Sequence, residues 1–354
     1  TSGDTGKAAL AGFADVPGTK IIVFYPKGGV SRVQELQMVT QKGSNTSVVA
    51  IHGNFDNAQS GVKAIFEDKE LEKELAEAGY QFSSANSINI GRLVPQVVYY
   101  VYAYAKLLEN GEITSGEEIN VTVPTGNFGN ILAAYYAKQM GVPIAKLICA
   151  SNENKVLFDF FQTGVYNKNR EFILTSSPSM DILISSNLER LIYAIAGQDA
   201  EKNSGLMAQL RETGAYEITA EMRDKLSDFA GGFATEKETA ETIRATYERT
   251  GYVMDTHTAV AACVCAQYRK DHADGRKCLV ASTASPYKFI HSVMTAIDAK
   301  YADTDEFELV DELSRISGTD IPKAIEEIRN ADIRHTAECD ADQMKATVKE
   351  ILGV

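Results

Sequence analysis

Short runs of consecutive apolar residues alternate along the chain with stretches whose apolar positions recur three and four residues apart. The first four pieces are KIIVFYP, SRVQELQMVTQKG, SVVAIHG and NFDNAQSGVKAIF. The apolar runs predict strands buried on both faces, and the stretches between them predict amphipathic helices. The same rhythm returns in INVTVPTGNFG followed by NILAAYYAKQMG, in AKLICAS followed by NKVLFDFFQTG, and in KCLVASTAS followed by PYKFIHSVMTAI. Strand–helix–strand punctuation of this kind predicts an α/β fold of open, mostly parallel sheets with helices on both faces. Between Met180 and Thr250 the pattern is helical, as in LERLIYAIAG and AEMRDKLSDFAGG. From about Asp303 it is acidic and helical, with IPKAIEEIRNA starting on a proline in its first turn. A long helix near Ser87 to Asn110 is the candidate hinge, because no flexible linker or low-complexity tract marks a boundary.

Charge narrows the chemistry. The 354 residues carry 35 Lys and Arg against 48 Asp and Glu, a formal net charge of −13, with the cations scattered. That balance argues against a nucleic-acid or membrane-surface partner, so an anionic ligand must be held by backbone dipoles and a few placed cations. The five cysteines are odd in number and lack CxxC spacing, which reads as reduced core thiols in a cytoplasmic protein; Cys263 and Cys265 are not read as a metal site. The most apolar stretch, RLVPQVVYYVYAYAKLL, is cut by Pro95 and Gln96.

Five segments carry candidate chemistry. TSGDTGKAAL ends in Gly-Lys before a helix, but a phosphate-binding P-loop needs Gly where Thr1 stands and Ser or Thr where Ala8 stands. What remains is either a capped helix after a tight turn or an anion cradle built from Gly3, Gly6 and three hydroxyls. In VTVPTGNFGNILAAYY a strand runs into the turn Gly126-Asn127-Phe128-Gly129-Asn130 and then a helix. Consecutive N–H groups there can form an anion nest at a helix N-terminus. In SSANSINIGR, Arg92 enters a helix where the dipole disfavours a cation, so it is either solvated or faced by a negative ligand. Asp255, Thr256 and Thr258 read as helix caps, and His257 beside them reads as a structural histidine. LVASTASPYKF is a strand ending in Ser282, Thr283 and Ser285, where ligands sit in open α/β sheets; Ser285 equally fits an N-cap before Pro286.

Seven segments taken in order, TSGDTG, YPKGGVS, SANSINIGRL, PTGNFGN, SNLERL, DTHTAVAA and STASPYKF, resemble threonine synthase, a pyridoxal-phosphate (PLP) enzyme of fold type II, related to tryptophan synthase β. The resemblance implies a two-domain enzyme, with a smaller substrate-side α/β part over residues 1–90. A larger cofactor-binding part over 91–354 would include the helical C-terminal segment. It implies that Gly126, Asn127, Phe128, Gly129 and Asn130 hold the cofactor phosphate, that Asp4 sits by the ring's 3′-oxygen as an acceptor, and that Thr283 faces the pyridine nitrogen with a neutral hydroxyl. Ser2, Gly3 and Thr5 would cradle the substrate, and Asn86, Ser87 and Arg92 would grip its phosphate. The family usually has His where Ser285 stands, while Lys288 matches it.

The implied activity is a carbon–oxygen lyase acting on phosphates, converting O-phospho-L-homoserine and water to L-threonine and phosphate in a cytoplasmic monomer or homodimer. No nucleic-acid or membrane partner is expected. The lysine that forms the Schiff base in this family lies upstream of the TSGDTG loop, and Lys7 does not replace it. The chain is therefore expected to be a piece of a longer enzyme, incomplete at its N-terminus and unable to turn over alone. The alternatives are another fold type II lyase acting on a phosphorylated amino acid, or a noncatalytic phosphate-binding module.

Overall fold

A computed structural model describes residues 1–354 apart from Ser2, Asn54 and Ser84, and apart from the side chains of Phe55 and Asp56. Its strands are β1 (Ile21–Pro26), β2 (Thr46–His52), β3 (Ile119–Pro124), β4 (Ile144–Ser151), β5 (Val165–Asn167), β6 (Ala215–Glu217), β7 (Phe229–Phe233), β8 (Cys278–Val280) and β9 (Ala337–Asp340). The helices before β3 are α1 (Asp4–Phe13), α2 (Arg32–Val39), α3 (Phe55–Glu67), α4 (Lys69–Glu77), α5 (Ile90–Leu93) and α6 (Val97–Glu109). Those of the middle are α7 (Gly129–Gln139), α8 (Val156–Thr163), α9 (Leu188–Ile195), α10 (Ala200–Thr213), α11 (Ala220–Asp224), α12 (Glu236–Thr250) and α13 (Thr256–His272). The last are α14 (Ile290–Ile297), α15 (Glu306–Ser317), α16 (Lys323–Glu326) and α17 (Met344–Leu352).

Contacts divide the chain into two units, one of Thr1–Asn86 with Thr304–Val354, the other of Ser87–Asp303. The first is built on a parallel sheet in the order β1-β2-β9. Its core gathers Val49, Ile51, Leu71, Leu75, Met344 and Val348. The expected division at residue 90 kept the C-terminal segment with the second part; here Cys339 of β9 pairs with Ile51 of β2. Nothing in the segment's acidic, helical pattern announced that strand.

The second unit is built on a parallel sheet in the order β7-β4-β3-β8. Every residue of β3 is buried, as its uncharged sequence INVTVP requires. Along β4 the side chains alternate: Leu147 and Cys149 join the cluster containing Ile131 and Leu191, while Ile148 and Ala150 join that of Val260 and Val264 on the other face. Both faces are thus covered by helices. Three expectations are corrected in this unit. Residues 180–250 are not wholly helical, because FAGGF forms β7 beside β4. Its glycines let neighbours close in: a Cβ on Gly232 would stand 2.5 Å from Val264 Cγ1. The strand expected in KCLVASTAS is a three-residue edge strand, half-buried, rather than a buried one. The stretch 87–110 is also not one helix, since Pro95 falls in a 3₁₀ turn between α5 and α6.

Candidate functional site

Strand β3 ends at Pro124 and α7 begins at Gly129, so the turn between them lies at the carboxyl end of the parallel sheet. Its left-handed residue is Phe128, with φ 65°, and not one of the flanking Asn or Gly residues. The Phe128 ring explains this: it is 1% exposed and packs against Phe161 and Phe229. Burying that ring contributes roughly 1.5–3 kcal/mol, which offsets the roughly 1–2 kcal/mol that a left-handed non-glycine residue costs.

The backbone N–H groups of Gly126, Asn127, Phe128, Gly129 and Asn130 donate to no protein acceptor among the described residues. No acidic side chain occupies the first turn of α7. Free N–H groups at the positive end of an eleven-residue helix can receive a multi-oxygen anion such as a phosphate. The Asn130 side chain is engaged elsewhere, accepting from Tyr100 Oη at 2.5 Å and donating to Gln96 Oε1 at 2.9 Å. Only its backbone N–H remains for an anion. Gln96 also donates to the Arg92 carbonyl at 2.5 Å, so one amide connects α5 to the start of α7.

A second layer surrounds the turn. Ser185 Oγ donates to the Gly126 carbonyl at 2.7 Å, while Asn187 donates to the Asn127 carbonyl from both its backbone N and its Nδ2, each at 3.0 Å. A Cβ added to Gly126 would stand 2.6 Å from the Ser179 carbonyl oxygen, which is why only glycine fits there. Ser179 N–H donates in turn to His257 Nε2 at 3.2 Å. His257 is buried, together with Asp255, Thr256 and Thr258. Asp255 caps α13 by accepting from His257 and Thr258 N–H, as the capping reading expected.

On the edge strand next to β3, Thr122 pairs with Val280, so Thr283 lies three residues past β8 where Thr125 lies three past its partner. The two loops emerge side by side. Thr283 is exposed, and its hydroxyl has no protein partner among the described residues. Ser282 accepts from Thr258 Oγ1 at 3.2 Å, and Ser285 caps the turn at Pro286 by accepting from Tyr287 N–H.

Ser87 and Arg92 belong to the same unit, with Arg92 exposed in α5. The Ser87 carbonyl accepts from Asn187 Nδ2 at 3.1 Å, so a single side chain touches both the glycine turn and this segment. Asn86 is the exposed last residue of the first unit's opening segment.

In the first unit Gly3, with φ 114°, precedes α1. Thr1 Oγ1 accepts from Gly3 and Gly6 N–H at 3.1 and 2.9 Å. Asp4 accepts from Gln34 Nε2 at 2.9 Å, while Gln34 also completes a capping box with Ser31 at the start of α2. Asp4 is therefore a hydrogen-bonded acceptor. Thr5 lies half-buried in the first turn of α1, and Ser2 lies outside the described residues.

Sequence reasoning gave no role to Gln34, Gln96, Ser185, Asn187 or Arg190, although Asn187 and Arg190 stand in the SNLERL segment. Asn187 and its partner Asn127 stand 60 residues apart, a separation with no periodic signature. No group of His, Cys, Asp and Glu among the described residues could hold a metal ion, and no helix among them is long and apolar enough to cross a membrane.

Known proteins resemble this chain. A family model described as "Threonine synthase, C-terminal" matches residues 258–339. Threonine synthase-like 1 of Macaca fascicularis is 43% identical over 310 residues, covering 85% of this chain and 41% of that protein. The chain thus spans about two fifths of that relative's length. Threonine synthase of Eremothecium gossypii is 36% identical over 369 residues, covering 99% of this chain and 68% of that protein. The crystal structure of PLP-bound threonine synthase from Brucella melitensis superposes with a TM-score of 0.84 at 35% identity, covering 100% of this chain and 70% of that one. With 99% of its length matched at 36% identity to a threonine synthase, 68% of which it covers, this chain belongs to the threonine synthase family.

Proposed function

We propose that this chain binds pyridoxal phosphate and a phosphorylated amino acid, as part of an enzyme that converts O-phospho-L-homoserine and water to L-threonine and phosphate. The observation that carries the reading is the row of unpartnered N–H groups from Gly126 to Asn130, beside a strand end that presents a free hydroxyl at Thr283. The cofactor, when bound, supplies the electron sink that lets negative charge develop next to the amino-acid carbon. Gly126, Asn127, Phe128, Gly129 and Asn130 would hold its phosphate through backbone N–H groups. Thr283 would meet the pyridine nitrogen with an uncharged hydroxyl, which leaves that nitrogen unprotonated and moderates the sink.

Arg92 and Ser87 would bind the substrate phosphate, and the forked, permanently charged guanidinium suits its oxygens. A phosphate held by Arg92 stays close after it leaves and can exchange a proton with the attacking water. Gly3, Asp4 and Thr5 keep the roles that the family resemblance implies for them, and Asp4 is supported as an acceptor by its bond from Gln34.

The test is a fluorescence titration of the purified chain with pyridoxal phosphate, followed by a calorimetric titration of the loaded chain with O-phospho-L-homoserine. Saturable one-to-one binding supports the cofactor site; absence of binding removes the reading. A second reading, a lyase acting on another phosphorylated amino acid, is favoured by the 43% match to a protein named only threonine synthase-like. Calorimetric titration with O-phospho-L-homoserine against O-phospho-L-serine and O-phospho-L-threonine separates the two by which ligand binds tightest.

A further inference from the structure

Resting on the cofactor reading above, we infer that Asn187, oriented by Arg190, is the positioning residue that aims the N–H groups of the glycine turn at the cofactor phosphate. Asn187 is fully buried at the start of α9. Its Oδ1 accepts from Arg190 Nη1 at 2.6 Å. A guanidinium can only donate, so this bond fixes which end of the amide is oxygen and turns the NH₂ group the other way. That group donates to the Ser87 carbonyl at 3.1 Å and the Asn127 carbonyl at 3.0 Å. Arg190 Nη2 meanwhile donates to the Ile88 carbonyl at 2.8 Å, so Asn187 and Arg190 grip neighbouring peptides of one segment.

The consequence follows from peptide planarity. The turn's peptides are trans, so each C=O points opposite to the N–H that follows it. The Asn127 carbonyl is drawn to Asn187 by two bonds, which leaves Phe128 N–H pointing away from it. The Gly126 carbonyl is drawn to Ser185 Oγ, which leaves Asn127 N–H pointing away from that side chain too. Two consecutive donors are therefore oriented before any anion arrives, by the backbone N–H and side-chain amide of Asn187 and by Ser185 Oγ. Preorganised donors lose little on binding, whereas a turn free to flip either peptide would present a carbonyl to the phosphate.

The test compares pyridoxal phosphate with pyridoxal, which lacks the phosphate, on the wild-type chain and on Asn187→Ala and Arg190→Gln. A loss of fold weakens both ligands; a misaimed turn weakens only the phosphorylated one. The expected result is that each variant reduces the preference for pyridoxal phosphate by about tenfold or more, with pyridoxal affinity held and Arg190→Lys recovering part of the loss. Should Asn187→Ala not fold, Arg190→Gln decides, because Arg190 is only half-buried. An unchanged preference in Arg190→Gln overturns this inference while leaving the cofactor reading intact. A wild-type chain that binds neither ligand overturns both.

Discussion

His257 receives the backbone N–H of Ser179 on Nε2 at 3.2 Å and turns Nδ1 to Asp255 Oδ1 at 3.1 Å. A backbone N–H can only donate, so Nε2 carries the lone pair, the proton sits on Nδ1, and the buried carboxylate accepts it. The ring also lies against Phe289, with centroids 4.7 Å apart. Through Ser179 this pair supports the peptide that closes over Gly126, and Asp255 at the same time caps α13.

Replacing His257 by Ala removes the Ser179–His257 hydrogen bond and opens a cavity beside Phe289. Unfolding in urea is expected to show a loss of about 1–3 kcal/mol, from the emptied buried volume and the lost hydrogen bond. A variant with wild-type stability would show that the hydrogen bond is replaced without cost.

Gly126→Ala sets a methyl group against the Ser179 carbonyl oxygen, which is backbone and cannot swing aside. The turn must shift, and affinity for pyridoxal phosphate is expected to fall by about tenfold or more, corresponding to at least roughly 1.4 kcal/mol. Gly12→Ala is the control: it lies within α1 with nothing within 4 Å, and is expected to gain about 0.5–1 kcal/mol of stability. Equal ligand affinities in the two variants would remove the special role of Gly126.

Arg92→Gln removes a charge from an exposed position, so the melting temperature is expected to hold. Binding of the phosphorylated substrate is expected to weaken about 10- to 100-fold, in line with roughly 1.5–3 kcal/mol for a hydrogen bond to a charged group. Isothermal titration with O-phospho-L-homoserine reads it directly, and an unchanged affinity would return Arg92 to the solvated surface.

Asp68 caps α4 by accepting from Leu71 N–H, and Lys345 of α17 donates to its other oxygen at 2.6 Å. These two partners hold its carboxyl below the usual carboxylate range. A carboxyl lowered by folding stabilises the folded chain above its unfolded pKa of about 3.9, and that contribution is lost as pH falls through the folded value. Asn keeps the cap but not the charge. Wild type should therefore be more stable than Asp68→Asn at pH 7, with the gap closing in acid, as followed by urea unfolding at each pH. A gap independent of pH would assign the difference to packing.

Burial pushes the Cys149 thiol up to about 12, and the side chain is fully enclosed in β4. It should resist a disulfide reagent at pH 8 in the native chain, while all five cysteines react in denaturant. Mass mapping of the modified peptides checks this, and rapid native labelling at Cys149 would show that β4 opens locally.

Much of the architecture was legible because burial writes itself into local pattern. INVTVP and AKLICAS had to be buried parallel strands, and the glycine turn after Pro124 had to precede a helix, since apolar runs, glycines and caps act over a few residues. The chain's own order also carried the family likeness, through seven short segments. Tertiary structure decided what depends on distant partners. Strand β9 is defined by pairing with β2 rather than by its own AECD, and β7 by the close approach that its glycines permit to Val264 and Phe158. Phe128 takes the left-handed conformation because the core holds its ring, and Asn187 aims a turn 60 residues away because a buried amide must find donors and acceptors wherever the fold brings them. A sequence states which groups need partners; only the folded chain, which makes leaving them unpaired costly, determines which partners they receive.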